Sequence, residues 1–222
     1  MKNKTRIFLP ILFIFCCFGL RAQSPPDHDP TAKKILDAVS AKNKTYSSVR
    51  INFELLMDNK QDNIHESQEG TLLLKGNQYQ LEMSGTELYC DGRTQWNHMV
   101  ENEEVQIITP EYEEGELNPT NIFTIYEKGF KYQYVKEEVE GGVTLQLIKL
   151  FPEDADAKSY HTINLYVNKA KKQIHSIAII GKEGDDFTYR IVKLTPNPAT
   201  TPSDFIFNSA KYPDVEVIDL RD

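Results

Sequence analysis

From residue 48 onward the chain alternates apolar and polar side chains with a period of two. Val49, Ile51, Phe53, Leu55 and Met57 alternate with Arg50, Asn52 and Glu54, which predicts a half-buried strand. Further strands are predicted at 71–75, 79–83, 87–90, 94–100, 105–109, 130–137, 143–151, 161–168, 173–180 and 187–194, with a last one near 215–220. The breaks between them are turn chemistry: Gly76-Asn77, Asp91-Gly92, Gly141-Gly142, residues 168–171 and Glu183-Gly184-Asp185. Such pairs supply the positive φ angles of tight hairpins. About a dozen strands joined in this way predict one strongly curled antiparallel sheet in a single domain.

Two segments depart from this period. Asp29-Pro30 reads as an N-cap followed by proline at the first helical position, and Ala32, Ile35, Leu36 and Val39 follow at helical spacing. An amphipathic helix is predicted over about 30–43, and its apolar stripe must lie on something. Residues 111–117 form an acidic loop. Asn118-Pro119 then repeats the cap-plus-proline signal, and Ile122, Phe123, Ile125 and Tyr126 precede Gly129. A short helix is predicted here, either plugging the sheet or covering its mouth.

The N-terminus carries a different signal. Lys2, Lys4 and Arg6 precede an almost wholly apolar run over 7–20, followed by Ala22-Gln23-Ser24. This is the pattern of a cleaved secretory signal peptide, expected to span residues 1–23, with the globular domain over 24–222. The run is too short to read as a membrane span. The 222 residues include 25 Lys plus Arg and 33 Asp plus Glu. Cleavage takes Lys2, Lys4, Arg6 and Arg21 with it and moves the formal charge from −8 to −12. With no basic cluster, that balance argues against nucleic acid. Cys16 and Cys17 leave as well, so Cys90 has no partner for a disulfide or a paired-cysteine metal site. Export without disulfides points to a bacterial envelope protein stabilised by its core.

No catalytic or metal constellation stands out. His28 falls in the polar lead, His65 in a polar turn, and His98, His161 and His175 in strands, with no paired spacing among them. The carboxylates run in blocks such as 101–104 and 111–116, which read as solvated loops. Gly141-Gly142 precedes no helix and is a turn, and Cys90 reads as a buried inert thiol. No enzyme activity and no cofactor are expected. What remains is the apolar face of the sheet. Ile51, Phe53, Leu55, Leu72, Leu74, Leu81, Met83 and Trp96 are the candidates to line a cavity in it. Ile122, Phe123 and Ile125 are the candidates for a lid. Tight packing of the two helices would make the concavity an ordinary core; loose packing would leave an apolar cavity. Periodicity alone does not separate the two.

Several motifs, in order, are similar to those of a known family. They are the signal peptide, the helix opening at Asp29-Pro30, the strand around Val49 to Phe53, Glu69-Gly70-Thr71-Leu72-Leu73-Leu74-Lys75, and Cys90-Asp91-Gly92-Arg93-Thr94-Gln95-Trp96. Together they resemble the LolA family of periplasmic outer-membrane lipoprotein carriers. Asn118-Pro119 through Tyr132 and Tyr212-Pro213-Asp214-Val215 through Asp219 look like the Bacteroidetes-type branch. The resemblance implies a mainly β fold: an unclosed half β-barrel covered by the N-terminal helix and a short inserted lid helix. It implies a non-enzymatic, monomeric carrier that holds the acyl chains of triacylated lipoproteins. Such a carrier accepts them from an ATP-driven inner-membrane complex and delivers them to the outer membrane. Some members carry a functional arginine directly after the strand matching 72–75, where Gly76 stands here. That departure leaves the latching of the lid and the outer-membrane acceptor open. The competing expectations are a periplasmic sensor of lipids or other hydrophobic ligands on the same half-barrel, and a structural envelope protein with a filled core.

Overall fold

The computed structural model describes residues 27–59, 61–112 and 118–221. The expected signal peptide and residues 113–117 of the acidic loop lie outside the described residues. Twelve strands form one sheet: β1 (Val49–Asn59), β2 (Ile64–Lys75), β3 (Gln78–Met83), β4 (Thr86–Cys90), β5 (Gln95–Met99), β6 (Glu104–Ile108), β7 (Phe130–Glu140), β8 (Val143–Pro152), β9 (Tyr160–Asn168), β10 (Gln173–Gly181), β11 (Asp185–Pro196) and β12 (Glu216–Asp219). Their order is β12-β6-β5-β4-β3-β2-β1-β11-β10-β9-β8-β7, so β7 and β12 are the end strands, not paired with each other, and the barrel stays open; a parallel bridge between His28 and Tyr132 covers part of the β7 edge. β1 and β11 pair along their whole lengths and join the two halves.

The purely antiparallel expectation needs one correction: β12 runs parallel to β6. Parallel neighbours need a long crossover. The chain leaves β11 at the middle of the sheet and crosses the outer face over residues 197–215 before reaching that edge. His65 likewise lies in β2 rather than in a turn, with Nδ1 2.7 Å from Asp58 Oδ1 across the hairpin.

Residues directly opposite each other in an antiparallel ladder share a face. The pairs Ile51–Leu72, Leu72–Leu81 and Leu81–Leu88 therefore run across one face, which is the concave one. A bulge in β11 sets Ile191 opposite Phe53 and Leu194 opposite Ile51, leaving Val192 unpaired and exposed. The extra residue lets two apolar side chains three positions apart both face inward.

Helix α1 (Pro30–Asn43) begins where Asp29 caps it: Oδ1 accepts the N–H groups of Thr31 and Ala32 at 2.7 and 3.3 Å. Oδ2 accepts the Tyr134 N–H at 3.1 Å, which ties the helix start to edge strand β7. Ala32, Leu36 and Val39 are buried in the concave core with Ile148, Leu150 and Ile177. The helix thus fills the half of the concavity formed by β7 to β10.

The inserted segment is not an α-helix. Residues 118–124 form successive turns, with Asn121 N–H bonded to Asn118 C=O and Thr124 N–H to Asn121 C=O, and a single 3-10 turn follows at Ile125–Glu127. Asn118 Oδ1 accepts the N–H groups of Thr120 and Asn121, and Asn118 N–H donates to Asn121 Oδ1. Asn and Thr side chains compete in this way with helical hydrogen bonding, and two threonines lower helix propensity further. The segment still lies on the same face as α1. Phe123, Ile125 and Tyr126 join the concave core, the Tyr126 hydroxyl donates to Leu36 C=O at 3.0 Å, and Ser40 Oγ donates to Glu127 Oε1 at 2.9 Å.

Candidate functional site

Between the strands β1 to β4 and the 118–124 turns lies an apolar pocket of about 220 Å³. Its floor is built by Ile51, Phe53, Leu72, Leu81, Met83 and Leu88, the inward residues of four successive strands. Ile177, Tyr189 and Ile191 wall it from β10 and β11, and Asn118, Pro119 and Ile122 roof it. An apolar cavity of about 150 Å³ is enough for benzene, so by that ratio this pocket takes roughly nine carbons. Four larger hollows, of about 360 to 810 Å³, all have charged side chains on their borders. One of about 400 Å³ is bordered by Glu69, Glu82 and Glu87. The largest of the four, of about 810 Å³, is bordered by Lys33, Asp37, Lys44 and Lys128. Carboxylates and ammonium groups do not suit an apolar chain.

Of the expected cavity residues, Ile51, Phe53, Leu72, Leu81 and Met83 line this pocket. Leu55 and Leu74 face the same way but are packed into the core beside it. Trp96 is corrected: it pairs with Tyr89 and Ile107 on the convex face, one residue out of phase with the cavity. Its neighbours Gln95 and Asn97 take the inward positions, with their amides hydrogen-bonded to each other at 2.6 Å. The apolar floor therefore ends at β4. Of the expected lid residues, Ile122 lines the pocket, while Phe123 and Ile125 are buried deeper in the core. Leu88, Ile177, Tyr189 and Ile191 were not anticipated. All carry the same period-two signal as β1; Leu88 reaches the site through the β3–β4 hairpin, whereas only the β1–β11 pairing brings Ile177, Tyr189 and Ile191 to it.

Phe53 holds its place because of Gly70, directly opposite on β2. A Cβ on Gly70 would overlap the outer end of the Phe53 ring (Cζ, Cε1 and Cε2), which reaches over the glycine and meets the Tyr189 ring at 6.1 Å. Gly70→Val is expected to push this ring into the pocket and to cost about 1–3 kcal/mol by overpacking. The denaturant midpoint and the pocket's capacity for an apolar dye should fall together.

Cys90 ends β4 and is almost fully buried. Burial pushes its thiol up, and its Sγ accepts the Gly92 N–H at 3.4 Å inside the Asp91-Gly92 turn. Gly92 has φ +93°, and Asp91 Oδ1 accepts the N–H groups of Arg93 and Thr94, both at 2.8 Å. A thiol raised this way is a poor nucleophile. Cys90→Ser should leave ligand binding unchanged at a modest stability cost, and native Cys90 should react with a thiol reagent far more slowly than the denatured chain. Among the described residues no group of three or more His, Cys, Asp or Glu could hold a metal ion, and no helix is long and apolar enough to cross a membrane.

An open β half-barrel with a helix and a strap in its concavity and a small apolar pocket between them is the arrangement the structure defines. It is the unclosed half β-barrel with a covering helix that the resemblance implied. No family model and no curated relative matches the sequence. Among solved structures, an uncharacterized conserved protein from Thermus thermophilus is similar with a TM-score of 0.54 at 11% identity, over 85% of this chain and 99% of that one. A LolA superfamily protein from Nitrosomonas europaea is similar with a TM-score of 0.43 at 12% identity, over 79% of this chain and 97% of that one. Lipoprotein LppX from Mycobacterium tuberculosis is similar with a TM-score of 0.47 at 11% identity, over 78% and 98% respectively. At these identities the likeness is one of fold.

Proposed function

We propose that this protein is a periplasmic carrier that binds the acyl chains of lipoproteins in the concave pocket and moves them from the inner to the outer membrane. The observation that carries this is the pocket itself. Its lining is apolar except at Asn118 and Tyr189, it sits in a sheet that does not close into a barrel, and its roof is a strap of turns rather than a strand or a long helix. An acyl chain gains about 0.8 kcal/mol for each buried methylene, so such a lining selects by chain length. The cavity takes roughly nine carbons as it stands. A longer chain would have to lift the 118–127 segment away from the sheet. The secretory N-terminus and the motifs shared with lipoprotein carriers support the same reading and the same compartment.

Native mass spectrometry of protein purified from its own periplasm tests it. A bound triacylated protein is the expected result. A bound free lipid would favour a sensor on the same half-barrel, and a protein with nothing bound would favour a filled core with a structural role.

A further inference from the structure

Two polar side chains line the apolar pocket, Asn118 and Tyr189. Asn118 is occupied by its own turn, its Oδ1 accepting from Thr120 Oγ1 at 2.7 Å as well as from the backbone. Tyr189 differs. It sits on β11 opposite Leu55 and Ile177, so it points into the concavity, and its ring packs against Phe53 at 6.1 Å. Its hydroxyl has no hydrogen-bond partner among the described residues. The more deeply buried Tyr79 and Tyr126 are paired, Tyr79 with Gln95 and Tyr112 and Tyr126 with Leu36 C=O, while the partly buried Tyr132 and Tyr134 of the same face lie outside this pocket. Burial alone pushes the Tyr189 phenol up, with no neighbouring charge or hydrogen bond contributing. Tyr189 is only partly buried and its hydroxyl is reached by solvent, so it stays open to an acceptor that arrives with a ligand.

We propose that Tyr189 is the specificity-determining residue of the pocket, its hydroxyl donating a hydrogen bond to the ester or amide carbonyl at the head of a bound acyl chain. The inference rests on the carrier reading and narrows it. The pocket then prefers an acyl chain, through its carbonyl, to an alkyl chain of equal length. The carbonyl end stays beside β11 while the methylenes run over Ile51, Leu72 and Leu81. The carbonyl acceptor needs no charge, in keeping with a lining that has no cationic side chain.

The test is displacement of an apolar fluorescent dye from the full-length mature protein and from Tyr189→Phe. The competitors are a peptide bearing an ester-linked diacylglyceryl group and an amide-linked acyl chain, and the same peptide with ether-linked and N-alkyl chains of equal length. The wild type should prefer the carbonyl-bearing peptide by about three- to tenfold, the range that one net hydrogen bond supplies. Tyr189→Phe should lose that preference, keep its affinity for the ether peptide, and unfold at an unchanged or higher temperature. Equal affinity of the wild type for both peptides, or an equal loss of both in Tyr189→Phe, would overturn the role of Tyr189 and leave the carrier reading standing. A wild type that binds neither peptide would overturn both. Phosphatidylethanolamine with the same chains supplies the same carbonyls from a membrane lipid. Tighter binding of that lipid, lost in Tyr189→Phe, would support the hydrogen bond and overturn the carrier reading.

Discussion

Replacing Phe123 with alanine is expected to lower the stability of the empty protein by about 3–5 kcal/mol, the usual cost of removing a buried phenylalanine. Phe123 is 7% exposed and belongs to the concave core, so the loss leaves a cavity. The same change should slow ligand release. An acyl chain with on the order of 14 buried methylenes gains about 11 kcal/mol, and two or three chains approach or exceed the practical limit of about 20 kcal/mol for non-covalent binding. A carrier that held its cargo so tightly would not deliver it. The gain is offset if the cargo must displace part of the protein's own core. The pocket's 220 Å³ is too small for a whole chain, so displacement of the 118–127 segment, with Ile122, Phe123 and Ile125, is the available route. Weakening that segment makes the empty state less favourable and the loaded state relatively more so. Thermal unfolding of the empty variant and the rate of lipopeptide release check the two halves. A destabilised variant with an unchanged release rate would mean that Phe123 stays in place when the chain is bound. An unchanged unfolding temperature would contradict its burial.

How far the sequence reaches is visible in single residues. The inward set on β1 to β3 follows from alternation, because the hairpins joining these strands are short and their register is set locally. Trp96 shows where that ends. It is large and apolar, but facing inward or outward depends on a register counted through the Asp91-Gly92 turn, and a one-residue difference reverses the face. The β11 bulge at Val192 has the same effect in another form. It puts Ile191 and Leu194 on one face although strict alternation separates them, and no composition signal marks the extra residue. The far wall of the pocket was beyond local reasoning altogether. Tyr189 meets Leu55 across a separation of well over a hundred residues, through a pairing that only the assembled sheet shows. The inserted segment was placed on the correct face by its apolar residues, but its helical form was not realised, because Asn118, Asn121 and the nearby threonines satisfy the backbone in turns.

The convex face should show the opposite behaviour, with stability affected and binding untouched. Phe205 is fully buried under the chain that crosses from β11 to β12, in the 3-10 turn Pro202–Phe205. That turn is fixed by a capping box in which Thr201 N–H donates to Asp204 Oδ2 at 2.6 Å. Beside it, Phe207 stacks on Tyr212 at 5.4 Å and meets the ring of buried His98 at 5.0 Å. Glu87 gathers this cluster, accepting from the Tyr89 and Tyr212 hydroxyls, each at 3.1 Å, with His98 Nδ1 at 3.0 Å. Phe205→Ala is expected to cost about 3–5 kcal/mol. It should also open residues 197–221 to proteolysis, because β12 is four residues long and depends on this crossing to reach β6. Acid should add to the loss. Burial alone would raise the Glu87 carboxyl, but the hydrogen bonds from His98, Tyr212 and Tyr89 outweigh it and hold the carboxyl below its ordinary value of 4.5. Its contribution is therefore present above about pH 4.5 and is lost as pH falls through the lower folded value. The variant, starting from less stability, should unfold at a higher pH than the wild type in an acid titration. Affinity for an apolar dye, measured at neutral pH where the variant is still folded, should match the wild type because the pocket lies on the other side of the sheet. A drop in that affinity would mean that the two faces are coupled through β3 and β4, and that the C-terminal crossing helps to set the shape of the pocket.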